Sequence, residues 1–115
     1  PERANRAAAR FPGAAAYTSM EEFLAHPGMD GVLNLTPAPF HRDTTTAALD
    51  AGLHVLSEKP LAHTLADAKK LAALAKKYPK RKAFVAYCHR YAPAIAKMKE
   101  LTSAGKIGQL VDCAA

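Results

Sequence analysis

The sequence predicts an α/β chain: a mostly parallel sheet with helices on both faces. Two observations predict it. Short apolar runs alternate with amphipathic stretches from one end to the other, and Gly or Pro punctuates nearly every passage between them. With 115 residues, 50% hydrophobic and 23% charged, the chain fits one domain at most and is neither a disordered tail nor a membrane segment.

Residues 2–11 are rich in Ala and Arg and predict a helix that stops at Pro12-Gly13. A short strand is expected over about 14–17. Ser19 with Glu22 three residues on is a capping box. It opens a helix with Met20, Phe23 and Leu24 on one face, ending near Pro27-Gly28. The run Gly31-Val32-Leu33-Asn34-Leu35 reads as a buried strand ending at Thr36-Pro37. Pro39 suits the first turn of the next helix, and Gly52 suits its C′ position. A strand over 53–57 ends at Glu58-Lys59-Pro60. Thr64 and Asp67 form a weaker capping box before a helix reaching about Lys77, with Leu65, Ala68, Leu71, Ala72 and Ala75 on one face. A strand over 83–87 ends at Cys88-His89-Arg90. A helix follows from Pro93 to about Ser103, Gly105 and Gly108 bracket a turn, and Leu110-Val111 begins a last strand.

In an open parallel sheet, ligands bind beyond the carboxyl ends of the strands. Three such ends carry the chemistry: Thr36-Pro37, Glu58-Lys59-Pro60 and Cys88-His89-Arg90. Lys59 is the central candidate. An ammonium in a proline-stiffened turn can orient a hydroxyl or carbonyl, or exchange its proton. Glu58-Lys59 also reads as an ordinary solvated loop pair. Thr36 and Pro37 offer a hydroxyl and a rigid bend, which is equally plain turn chemistry. His41, in the first turn of its helix, faces the same edge or bonds locally. His89 and Arg90 suit an anionic or hydroxylated substrate, or simply a surface pair. His26, His54 and His63 have no spacing suited to a metal, so no metal is expected.

Lys+Arg exceeds Asp+Glu by enough to leave a net charge of +6. Most of it is one run, Lys76, Lys77, Lys80, Arg81 and Lys82, at a helix end and the loop beyond. Cations there complement the helix dipole. The run lies at the edge opposite the candidate site and lacks any nucleic-acid-binding motif, so no nucleic-acid partner is expected. Two cysteines, Cys88 and Cys113, make neither a disulfide framework nor a zinc pattern and fit a reducing, cytoplasmic compartment. No apolar run approaches the roughly 20 residues that span a bilayer, so no membrane partner is expected. Both ends read as cut: no Met precedes Pro1, and the chain stops inside a strand-like run.

Thr36-Pro37 with His41, then Gly52-x-His54-Val55, then Glu58-Lys59-Pro60-Leu61-Ala62 resembles the Gfo/Idh/MocA family of NAD(P)-dependent oxidoreductases. Arg90-Tyr91-Ala92-Pro93, a helix and Gly105-Lys106-Ile107-Gly108 are similar to that family's passage into its second domain. The resemblance covers nearly the whole chain. It implies a partial Rossmann-like NAD(P)-binding domain over 1–92, a connecting helix and turn over 93–108, and the first strand of a second α/β domain over 109–115. It implies that Thr36, Pro37 and His41 approach the cofactor, NAD or NADP, and that Glu58 and Pro60 shape the cofactor turn. Lys59 would stand near the reacting carbon and assist hydride transfer, and His89 and Arg90 would line the substrate region. The implied substrate is a sugar, polyol or related hydroxy compound, and the implied assembly is a homo-oligomer.

Two departures from the family pattern stand out. The glycines fall at 13, 28, 31, 52, 105 and 108, and no combination gives G-x-G-x-x-G. Most of the second domain is also missing. A segment without that phosphate-binding turn is expected to be inactive alone. A non-catalytic, degenerate module of the same fold therefore remains an alternative, and a basic nucleic-acid-binding protein a more distant one.

Overall fold

The computed structural model describes residues 2–111, which divide after Val85 into two compact units. The first unit holds α1 (Glu2–Ala8), α2 (Met20–Leu24), β1 (Gly31–Asn34), a 3-10 turn (Ala38–Phe40), α3 (His41–Asp50), β2 (His54–Ser57), α4 (Leu65–Lys77) and β3 (Ala83–Val85). The second holds a 3-10 turn (Cys88–Tyr91) and α5 (Pro93–Ser103).

The sheet order is β1-β2-β3, and both pairs are parallel. Each crossover is a helix, as parallel neighbours require. Val32 pairs with Val55 and Asn34 with Ser57, all four buried. These residues share the face on which Ala48 and Leu49 of α3 pack, with Leu53 completing the core. Phe23, Leu24, Met29, Leu74 and Tyr78 close around that core. Burying a side chain such as Leu49 contributes about 1.5–3 kcal/mol. The alternate residues Leu33, Leu56 and Phe84 are aligned on the other face and exposed.

The helix boundaries follow local chemistry. Ser19 Oγ accepts the backbone N–H of Glu22 at 3.1 Å, so the first capping signal does start α2. Thr64 Oγ1 accepts the Asp67 N–H at 3.1 Å and donates to Asp67 Oδ2 at 2.9 Å, starting α4. The face read for α4 is only partly buried: Leu71 is buried, whereas Leu65 and Ala72 are exposed. Pro39 lies in the 3-10 turn that leads into α3, not in α3 itself. After α3, Gly52 takes φ +76°, and its N–H bonds the carbonyl of Leu49. This left-handed cap reverses the chain directly into β2.

One expected strand is not formed. Residues 14–17 carry no ladder. The Ala14 N–H instead closes a turn onto the Phe11 carbonyl. A strand exists only with a neighbour, and this segment pairs with none of the three described strands. Leu110 and Val111 are likewise outside any strand, and the remainder of that expected strand, 112–115, lies outside the described residues. α1 ends at Ala8, earlier than composition suggests, where Arg10 and Phe11 donate to carbonyls three residues back.

Candidate functional site

Parallel pairing places the carboxyl ends of β1 and β2 side by side. The Glu58 N–H donates to the Asn34 carbonyl at 2.9 Å, extending the ladder one residue past β2. The two turns thus leave the sheet together.

The first turn is organised by Asn34, which is 1% exposed. Its Nδ2 donates to Thr45 Oγ1 at 3.1 Å and to the His41 carbonyl at 3.3 Å. Its Oδ1 accepts the Thr36 N–H at 3.2 Å and the Thr36 hydroxyl at 2.7 Å. The amide thereby uses both donors and both acceptor sites, which fixes its rotamer. Pro37 follows in extended geometry and stays exposed.

The second turn carries Glu58, Lys59 and Pro60, joined by a cis Lys59–Pro60 bond. Glu58 Oε2 accepts the Lys59 N–H at 2.9 Å. Lys59 is exposed, and no carboxylate pairs with its ammonium among the described residues. It stands at the edge with its charge available.

His41 lies between the turns and is buried. Its Nδ1 is 2.7 Å from the Pro60 carbonyl and its Nε2 is 2.7 Å from the Thr36 carbonyl. The ring therefore reaches ligand space only through the two turns it holds. The next residue, Arg42, sends Nη1 to Asp67 Oδ1 at 2.8 Å and Nε to Asp43 Oδ1 at 2.7 Å. The Thr64 hydroxyl, and then Arg42, hold the Asp67 carboxyl below the usual carboxylate range. The same carboxylates, Asp43 first, raise the Arg42 guanidinium further above its ordinary value. The loop carrying Lys59 is consequently tied at Glu58, at Pro60 and at the start of α4.

His89 and Arg90 belong to the second unit. Both are exposed in the 3-10 turn after β3, with the Arg90 guanidinium 5.6 Å from the Tyr91 ring centroid. Of the expected site residues, Thr36, Pro37, His41, Glu58, Lys59 and Pro60 are brought together within the first unit. The remaining histidines have local roles or none: His26 Nδ1 lies 2.6 Å from the Tyr17 hydroxyl, His54 Nδ1 accepts the Lys82 N–H at 2.9 Å, and His63 is exposed. No cluster of three or more metal-ligating side chains occurs among the described residues. None of their helices is long and apolar enough to cross a membrane.

The basic run sits at the amino edge of the sheet, where α4 ends and the chain enters β3. Tyr78 in its midst donates to Asp50 Oδ1 at 2.6 Å, and that bond raises the phenol above its ordinary value.

Sequence reasoning missed Asn34, Arg42 and Asp67 as parts of the site, although it read Asp67 as a cap. The available signal was Asn34 itself, a polar residue at an inward position of an apolar strand, which demands buried partners.

Known proteins share both the sequence and the geometry. The signature of the Gfo/Idh/MocA oxidoreductase family, described as an NAD-binding Rossmann fold, matches residues 1–87. Inositol 2-dehydrogenase of Corynebacterium glutamicum (strain R) is 34% identical over 109 residues, covering 95% of this chain and 32% of that enzyme. D-xylose 1-dehydrogenase (NADP(+)) of Hypocrea jecorina is 42% identical over 94 residues, covering 80% of this chain and 23% of that enzyme. The crystal structure of the WlbA dehydrogenase from Bordetella pertussis, in complex with NADH and UDP-GlcNAcA, superposes with a TM-score of 0.85 at 27% identity, covering 95% of this chain and 31% of that one. The chain spans about a third of the length of the curated inositol dehydrogenase it matches. With its parallel sheet, its paired strand-end turns and a family match over three quarters of its length, the chain belongs to the Gfo/Idh/MocA family of oxidoreductases with an NAD-binding Rossmann fold.

Proposed function

We propose that this chain supplies the reacting side of the nucleotide domain in an NAD(P)-dependent dehydrogenase, with Lys59 as its catalytic residue. The observation that carries the reading is an exposed Lys59, unpaired among the described residues, on a loop tied down at three points. Such a loop fixes where the lysine starts and leaves its ammonium free to meet substrate. Relatives named for inositol and xylose oxidation support a sugar, polyol or related hydroxy compound as substrate.

The residues present fit one end of a dinucleotide. Thr36, Pro37, Glu58 and Pro60 frame a rigid double turn against which a planar ring could lie. His41 contributes by holding those turns. Nothing among the described residues of the unit resembles a pyrophosphate cradle, which needs closely spaced glycines and a helix N-terminus. Gly31, for example, is spent on strand packing: a Cβ there would meet the His54 carbonyl at 3.1 Å. The nicotinamide, when bound, supplies the hydride acceptor or donor. Lys59 orients the substrate oxygen and exchanges its proton. His89 and Arg90 of the second unit are assigned to substrate by the same family resemblance, and the whole enzyme works as a homo-oligomer. A cytoplasmic setting fits the exposed thiol of Cys88.

The test is Lys59→Ala in the enzyme-length protein that carries this segment. General acid–base assistance is worth roughly 10²–10⁴-fold, so turnover should fall by that order with the fold and nucleotide affinity retained. Near-normal turnover would remove Lys59 from the chemistry.

A further inference from the structure

We infer that His41, set by Asn34 behind it, is a positioning residue that locks the Lys59 turn to the Thr36 turn. The inference rests on the reading of Lys59 as the catalytic residue.

The His41 ring is the only side chain among the described hydrogen bonds that touches both turns. Its two nitrogens stand 2.7 Å from carbonyl oxygens separated by 24 residues of sequence, Thr36 and Pro60. A carbonyl oxygen accepts and never donates, so the neutral ring, with one N–H, donates to one of the two carbonyls and packs against the other, and only the doubly protonated ring donates to both. Pro60 is the immediate neighbour of Lys59, so the Lys59 Cα lies within one residue of the clasp. At 1% exposure the ring is shut off from bulk solvent, so losing either contact is costly.

Asn34 determines where that ring sits. Its Nδ2 bonds the His41 carbonyl, placing the first turn of α3, and its Oδ1 bonds both polar groups of Thr36, placing the carbonyl that receives Nε2. Thr45, one helical turn further along α3, receives the second Nδ2 hydrogen and keeps the amide from flipping. Removing one member therefore frees a connected set of groups. Misplacing a reacting group by about 1 Å can lower a rate about a hundredfold. A clasp one residue from the lysine has that leverage without touching the reactants.

The experiment uses the enzyme-length protein and compares His41→Leu, His41→Gln and Asn34→Asp with Lys59→Ala. Two quantities are read: kcat and KM well below the unfolding temperature, and amide hydrogen exchange at Lys59, Leu61 and Ala62. His41→Leu should lower kcat about 10- to 100-fold with KM for nucleotide changed less than threefold, and should speed exchange in that loop at least tenfold. His41→Gln, whose one nitrogen carries two hydrogens, should recover most of both. Asn34→Asp keeps an acceptor for Thr36 and loses the donor to Thr45 and His41. It should show the same pattern more weakly, and it keeps the test decisive if His41→Leu does not fold. Unchanged loop exchange and unchanged kcat in folded His41 and Asn34 variants would overturn the inference. Faster exchange with wild-type kcat in both His41→Leu and Lys59→Ala would instead overturn the reading of Lys59 and leave the clasp standing as structure.

Discussion

Arg42, the second residue of α3, and Asp67, the third residue of α4, are joined by a 2.8 Å ion pair that closes the loop between β2 and α4. The pair links the starts of two helices at the sheet edge that carries Lys59. It also recruits the Thr64 cap, because Asp67 bonds the Thr64 hydroxyl as well.

That relationship makes the loop acid-sensitive. The Asp67 carboxyl titrates below its unfolded value, so its contribution to stability is fully present above about pH 4 and is lost as pH falls through the lowered value. In urea unfolding, Asp67→Asn should be less stable than wild type near pH 6, and the gap should close as the pH is taken toward 2.5. A gap of constant size across that range would show that the ionised form carries no special weight.

Thr64→Ala removes the cap together with the hydroxyl that bonds the Asp67 carboxylate. Losing a side-chain N-cap costs about 1 kcal/mol, read as a lower urea midpoint with an unchanged slope. The helix itself should persist, because Leu71 remains anchored in the interior.

Leu49→Ala should cost about 2–5 kcal/mol. Leu49 is 1% exposed and packs at the centre of the cluster with Val32, Ala48, Leu53 and Val55. Equilibrium unfolding should show it as the more damaging change when set beside Leu33→Ala on the exposed face.

Gly52→Ala should cost about 1–2 kcal/mol, the penalty for a Cβ in left-handed backbone. The space itself is adequate, since the added carbon would meet Arg81 Nη2 at an ordinary 3.5 Å. Adding Arg81→Ala to Gly52→Ala should therefore not restore the lost stability.

Titrating the 115-residue chain with NAD(H) and NADP(H), followed by calorimetry, should give no low-micromolar binding. The strand-end turns are proposed to meet only one end of a dinucleotide, and the sequence has no G-x-G-x-x-G turn for its phosphates. Tight binding would show that the turns suffice.

Much of this arrangement was legible in the sequence. Ser19 and Thr64 announce α2 and α4 because a cap is a local bargain among neighbours in sequence. The ends of β1 and β2 could be placed at one edge because parallel strands must point the same way. Residues 14–17 misled for the opposite reason. Their apolar character marks them as able to pair, and pairing depends on a partner strand that local sequence does not supply. The role of His41 was half visible. Its position near the edge could be read, whereas its two carbonyl partners lie 5 and 19 residues away and emerge only when two turns meet.

Asn34 has one more effect. If β1 slid by one residue so that Val32 took the place of Gly31, Leu33 and Leu35 would point inward where Val32 and Asn34 do now. Counted by apolar area alone, that slipped alignment is the better one, two leucines replacing a valine and an amide. It would forfeit all four bonds of the Asn34 amide and press a Cβ to within 3.1 Å of the His54 carbonyl. A buried amide and a missing side chain thus choose the native alignment over a greasier competitor, and greater burial is given up for a single answer.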